Sequence, residues 1–177
     1  MDANKVNQAL ALTPQLQRAI RMLECDRREL EEIVEQALVD NPALERVSAA
    51  EPGEPEVVAT VGDGVELPRG AGLRLRQEAA SIMAPGAVRA PTDEQTRDAE
   101  WLIRSLEQRE KLVRQVVELA RARHRAYLDG SSEELTPVPL GDAARALGIH
   151  ESTLRRLVAG KSVRSARGVT PLERLFG

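Results

Sequence analysis

Late in the chain, Glu151, Ser152, Arg155 and Arg156 recur at one- and four-residue steps, so they share one side of any helix built there. Their types suit nucleic acid. An arginine can bond a guanine edge through two parallel N–H groups or hold a phosphate, and a serine hydroxyl serves either purpose. His150 stands just before them, where an imidazole suits helix capping or a phosphate contact. Lys161, Arg164 and Arg167 follow in a Gly-containing stretch and suit backbone phosphates. The expected DNA-binding set is therefore His150, Glu151, Ser152, Arg155, Arg156, Lys161, Arg164 and Arg167.

Such a face works only if two helices hold it. Residues 140–159 meet the requirements of a helix-turn-helix. Ala144 supplies a small residue where the helices cross. Gly148 tolerates the left-handed backbone of the turn. Ala143, Leu147, Ile149, Leu154 and Leu157 supply apolar side chains before, within and after it. The second helix, about 151–158, then presents the polar residues outward, and its N-terminal half is the part that enters a major groove. The competing reading of the same pattern is a helical hairpin with a solvated basic face.

Catalysis has no comparable constellation. His124 and His150 lie far apart, with no carboxylate or cysteine array of metal spacing between them. Cys25, the one cysteine, has no histidine near it in sequence and can form no internal disulfide. No enzyme activity, metal or cofactor is expected.

The remaining elements follow from spacing. Thr13 can cap a helix with Pro14 at its first position, and Leu12, Leu16, Ile20 and Leu23 then share one face. Asp26 with Glu29 resembles a capping box for a second helix. Leu30, Ile33, Val34, Ala37 and Leu38 form its apolar stripe, and Asn41-Pro42 ends it. Two short helices bury too little to fold alone. They either dock on a partner or pack on the rest of this chain. Residues 46–91 are dense in Pro and Gly and read as a linker, with a short helix around Leu75–Met83. Residues 92–130 read as a long helix, capped by Thr92 and Gln95 and stopped by Gly130, with a break near Gln108–Lys111 where its apolar stripe is interrupted.

The resulting expectation is an all-α chain with four parts. These are a detached N-terminal helical hairpin (1–45), a flexible linker (46–91), a long helix (92–130) and a C-terminal helix-turn-helix region (131–177). Composition agrees. Aromatics are 2% of 177 residues, poor for an all-β core, while helix-favouring residues abound. The formal net charge is −3, but it is unevenly spread. Residues 1–45 hold five Lys/Arg against nine Asp/Glu, and residues 151–177 hold six against two. A basic tail behind an acidic front suits a polyanion partner for the tail. No run is apolar enough to span a membrane and no secretion signal is evident, so no membrane partner and a cytoplasmic location are expected.

Four segments, in order, resemble the bacterial sigma-54, or RpoN-type, family of RNA polymerase sigma factors. Residues 12–45, LTPQLQRAIRMLECDRRELEEIVEQALVDNPALE, resemble its region I. Residues 65–83, VELPRGAGLRLRQEAASIM, are similar to a stretch late in its core-binding region. Residues 99–110, AEWLIRSLEQRE, resemble the start of its long helix. Residues 140–168, LGDAARALGIHESTLRRLVAGKSVRSARG, resemble its helix-turn-helix and the segment after it.

The resemblance implies a transcription initiation factor with three partners: promoter DNA, core RNA polymerase and an AAA+ enhancer-binding activator. Region I would restrain promoter opening until the activator hydrolyses ATP, with Leu16, Ile20, Leu23, Leu30, Ile33 and Leu38 as its partner-binding face. The helix-turn-helix would read the −12 element through Glu151, Ser152 and Arg156, with Arg155 beside them. The match is to a shortened member. Most of the core-binding domain is missing between Glu45 and Val65, and no RpoN box follows. Family members usually have Ser at Arg155, Tyr at Ser162 and Pro at Ala166. The alternative function is a DNA-binding or activator-binding decoy without initiation activity.

Overall fold

The computed structural model describes residues 14–25, 27–47, 57–61, 65–66, 73–76 and 90–177. Helix α1 runs Pro14–Glu24 and α2 runs Arg27–Asp40. The caps expected at Thr13 and Asp26 lie outside the described residues. Asn41-Pro42 does end α2. The Asn41 side chain accepts from Ala43 N at 3.0 Å and donates to Gln95 O at 2.7 Å, which ties this corner to the start of the long helix.

That helix, α3, runs Asp93–Arg123. Its capping box is the one read from sequence: Gln95 N donates to Thr92 Oγ1 at 3.2 Å, and Thr92 N donates to Gln95 Oε1 at 2.9 Å. Asp93 and Glu94 in its first turn, with Arg121 and Arg123 in its last, complement the helix dipole. The break expected near Gln108–Lys111 is instead at His124, after which α4 (Arg125–Leu128) makes one more turn. Gly130, at φ 84°, closes it.

Helices α5 (Leu140–Leu147) and α6 (Glu151–Val158) follow. Strands β1 (Leu44–Arg46), β2 (Val57–Val61), β3 (Val65–Glu66), β4 (Leu73–Leu75), β5 (Ser162–Ser165) and β6 (Gly168–Pro171) are short. A 3-10 turn at Leu172–Arg174 comes last among the regular elements.

Among the described residues the fold is mostly helical but not all-α. Strands β1 and β4 pair antiparallel, with Leu44 opposite Leu75. A four-stranded sheet has the order β3-β2-β5-β6. Within it β5 and β6 form a hairpin, and β2 joins β5 in parallel. The segment expected as a linker therefore supplies β2, β3 and β4. Leu75, expected to open a short helix, ends β4, and residues 77–83 of that expected helix lie outside the described residues.

Two apolar clusters sit along α3. One joins Met22, Val34, Ala43 and Leu44 to Ala99, Leu102 and Leu106, with Leu30, Ile33 and Leu38 packed against it. The other joins Val113, Val116, Val117 and Ala120 to Ala143, Ala144, Leu154, Leu157, Leu172, Leu175 and Phe176, with Leu23 packed against it. The N-terminal helices are thus not detached. They cover the first half of α3, because alone they have nowhere else to bury their stripes.

Candidate nucleic-acid interface

The helix-turn-helix has the geometry its residues require. Gly148 ends α5 at φ 66°, and its N–H returns to the carbonyls of Ala144 and Arg145. Ile149 N also donates to Ala144 O, at 3.0 Å. Ala143, Ala144, Leu154 and Leu157 are buried, and Leu147 and Ile149 pack half-buried against the same cluster. All five expected apolar positions face inward, with the small Ala144 beside them.

His150 caps α6. Its Nδ1 accepts from Ser152 N at 3.2 Å and lies 2.7 Å from Ser152 Oγ. Glu151, Ser152 and Arg155 are exposed and Arg156 is half-exposed. Glu151 and Arg155 pair at 2.8 Å one turn apart. A pair so open to water contributes little to stability. It orients both groups on the outer face of α6. Arg164 is exposed on β5, the strand that follows.

Two expected phosphate contacts are differently employed. Lys161 is 1% exposed, and its Nζ donates to Cys25 O at 3.4 Å. The expectation for it is corrected: a buried ammonium spent on a main-chain carbonyl does not reach a duplex. Its apolar stem allows that burial, while sequence reveals only its charge. Arg167 folds back across Tyr127, with its guanidinium 4.6 Å from the ring centroid. Its Nε donates to Tyr127 O at 2.9 Å and its Nη2 donates to Ser132 O. It thereby fastens the β5–β6 turn to the end of α4.

Of the six residues expected to form a partner-binding face, four pack inward. Leu23 packs on the helix-turn-helix cluster, and Leu30, Ile33 and Leu38 pack on the other. Ile20 is half-buried, and the Leu16 side chain lies outside the described residues. The open side of these helices borders a groove of about 610 Å³ against the start of α3. Its lining includes Arg18 and Arg21, the carboxylates Glu29, Glu32, Asp40 and Asp98, and the apolar Met22, Ile33 and Trp101.

Sequence reasoning missed Arg109. It occupies the stripe of α3 between Leu106 and Val113, at helical spacing, yet it is 6% exposed. Its Nε donates to Met22 O at 2.9 Å and its Nη2 to Cys25 O at 3.2 Å. A cation on the carbonyls at a helix end is favourable, so the interruption in the stripe is where α3 holds α1. The available signal was an arginine standing at an apolar register position.

His124 is buried at the joint between α3 and α4. Its Nε2 lies 3.0 Å from Leu175 O and its ring meets Phe176 edge-on. Burial pushes its pKa below the ordinary value, and the bond to Leu175 opposes this only in part. Among the described residues no group of three or more His, Cys, Asp or Glu is placed to hold a metal, and no helix is long and apolar enough to cross a membrane.

Residues 4–46 match the family model described as the sigma-54 factor activator interacting domain, and residues 90–177 match that described as the sigma-54 DNA binding domain. The RNA polymerase sigma-54 factor of Pseudomonas aeruginosa is 30% identical over 171 residues, which take in 92% of this chain and 34% of that protein. That of Xanthomonas euvesicatoria is 37% identical over 82 residues, or 46% of this chain and 17% of that protein. A crystal structure of Aquifex aeolicus sigmaN bound to promoter DNA is similar over 89% of this chain and 56% of that chain, with a TM-score of 0.48 and 22% identity. The chain spans about a third of the P. aeruginosa relative. With residues 4–46 and 90–177 matching two sigma-54 models in the family's order, and a sigma-54 factor 30% identical along 92% of its length, the chain belongs to the sigma-54 family.

Proposed function

We propose that this chain is a sigma-54-like transcription initiation factor that binds promoter DNA through α6 and β5 and meets its protein partners through α1 and α2. The observation that carries the reading is the face of α6. Its first turn projects Glu151 and Ser152, and its second turn projects Arg155 and Arg156, from a helix-turn-helix of the right geometry. In this reading Glu151, Ser152 and Arg156 read base edges of a −12 element, with Arg155, His150 and Arg164 beside them. Arg167 supports the β5–β6 turn from behind.

The division of labour follows the chain. Residues 1–45 are regulatory helices, 46–91 connect them, 92–130 are the bracing helix and 131–177 bind DNA. The groove walled by Arg18, Arg21, Glu29 and Glu32 faces an AAA+ activator. For Leu23, Leu30, Ile33 and Leu38 to serve as a partner-binding face, α1 and α2 must leave α3. Core RNA polymerase is the further partner, and the chain works where that enzyme does. It needs no catalytic residue of its own, because the ATP chemistry belongs to the activator.

The test is retention of purified core RNA polymerase on the tagged chain, with a full-length sigma-54 factor as competitor. Displaceable retention, together with binding to a −12 duplex, supports initiation. DNA binding without retention leaves a DNA-binding module that does not initiate.

A further inference from the structure

Two contacts at the head of α6 share one nitrogen. Ser152 N donates to His150 Nδ1 at 3.2 Å, and Ser152 Oγ lies 2.7 Å from the same atom. A backbone N–H can only donate, so Nδ1 holds a lone pair, and the neutral ring carries its proton on Nε2. The serine hydroxyl must then donate to Nδ1 as well. It has one proton and two lone pairs. With the proton turned toward His150, what Ser152 offers outward is an acceptor.

Ser152 is exposed in the first turn of α6, the part of such a helix that enters a major groove. Base edges there present either donors or acceptors. Adenine N6 and cytosine N4 donate, whereas guanine N7 and O6 and thymine O4 accept. An outward acceptor fits the amino groups and meets the others lone pair to lone pair. A serine free to rotate would make no such choice.

We propose that His150 is a positioning residue, which fixes Ser152 Oγ as a hydrogen-bond acceptor for the exocyclic amino group of an adenine or cytosine and leaves its own Nε2–H to a phosphate. The proposal rests on the reading of α6 as a DNA-recognition helix. It differs from a simple capping role in what it does to discrimination. Loss of a cap alone weakens binding to every duplex alike. Loss of the orienting nitrogen erases a preference at one base.

The experiment titrates the full chain against synthetic −12 duplexes. In these duplexes each adenine is replaced in turn by purine, and each cytosine by pyrimidin-2-one, both lacking the amino group. One position is expected where that replacement weakens the wild-type chain by about fivefold, the loss of one neutral hydrogen bond. Ser152→Ala and His150→Ala become insensitive there. His150→Asn, whose Oδ1 can cap and accept in the same place, restores the sensitivity. Ser152→Ala alters neither the cap nor the core, so its result stands even if His150→Ala misfolds. Wild-type binding with no position at which Ser152→Ala abolishes the difference overturns the proposal and leaves the DNA-binding reading intact. So does a His150→Ala chain that folds and keeps the preference. No preference of the wild-type chain for the −12 duplex over a scrambled one removes the DNA-binding reading, and the proposal with it.

Discussion

Arg109 donates its Nε–H to the main-chain carbonyl of Met22 across 2.9 Å, from the middle of α3 to the end of α1. It sits between the two apolar clusters, where Met22 belongs to one and the adjacent Leu23 packs against the other. Truncation to Arg109→Ala removes this donor from the carbonyls of Met22, in α1, and Cys25, just after it, and leaves a gap against α3. The expected loss is roughly 2–4 kcal/mol, concentrated in the docking of α1. Hydrogen exchange should show residues 14–25 exchanging far faster while α6 keeps its protection. Equal protection of α1 in the variant and the parent would contradict this role.

His124 makes stability depend on pH. Its folded pKa is lowered by burial from an ordinary value of 6.5, so the folded state favours the neutral ring. As pH falls below about 6.5 the unfolded chain takes up the proton first. The stability present at neutral pH is therefore lost progressively until the folded pKa is reached. His124→Gln should flatten that part of the curve. Denaturation midpoints between about pH 7.5 and 5 measure both.

Gly148 offers a clean backbone test. Its φ is 66°, and a β-carbon built there meets nothing within 4 Å. Any cost of Gly148→Ala is therefore conformational, about 1 kcal/mol, and Gly148→Asn should cost less. A loss several times larger in equilibrium unfolding would mean that the turn is crowded.

Arg156 and Arg164 should fail differently. If Arg156 reads a base, Arg156→Ala costs roughly 1–3 kcal/mol on the −12 duplex and relaxes specificity at one position. Arg164→Ala, if it holds a phosphate, weakens all duplexes similarly and lowers the salt slope by about one. Titrations on specific and scrambled duplexes at several salt concentrations separate the two. Identical affinities for parent and Arg156→Ala would remove Arg156 from the interface.

The legible part of this fold was the part set by local rules. Thr92 with Gln95 announces the start of α3, Asn41-Pro42 ends α2, and Gly148 between apolar neighbours marks the turn of the helix-turn-helix. The strands were harder to read, since none exceeds five residues and Pro and Gly crowd the segment that holds three of them. The β-branched run Val57, Val58, Thr60 and Val61 was the signal available there. The placements of Arg109 and Lys161 were illegible for a different reason. A charged side chain is assigned to solvent unless its partner is known, and here the partner is the end of a helix more than eighty residues away in sequence. The outward set Glu151, Ser152, Arg155 and Arg156 could be placed because an eight-residue helix with three buried apolar residues has only one remaining side.

Helix α3 gives the molecule an angular phase. Its 31 residues run unbroken for roughly 45 Å and carry one cluster on each half. One residue inserted after Glu107 would turn the far half by about 100° and swing Arg109 off the end of α1, whereas seven would nearly restore the heading. The helix therefore acts as a keyed shaft. Its register alone sets the angle about the shaft between the cluster that α1 and α2 grip and the one that holds the helix-turn-helix.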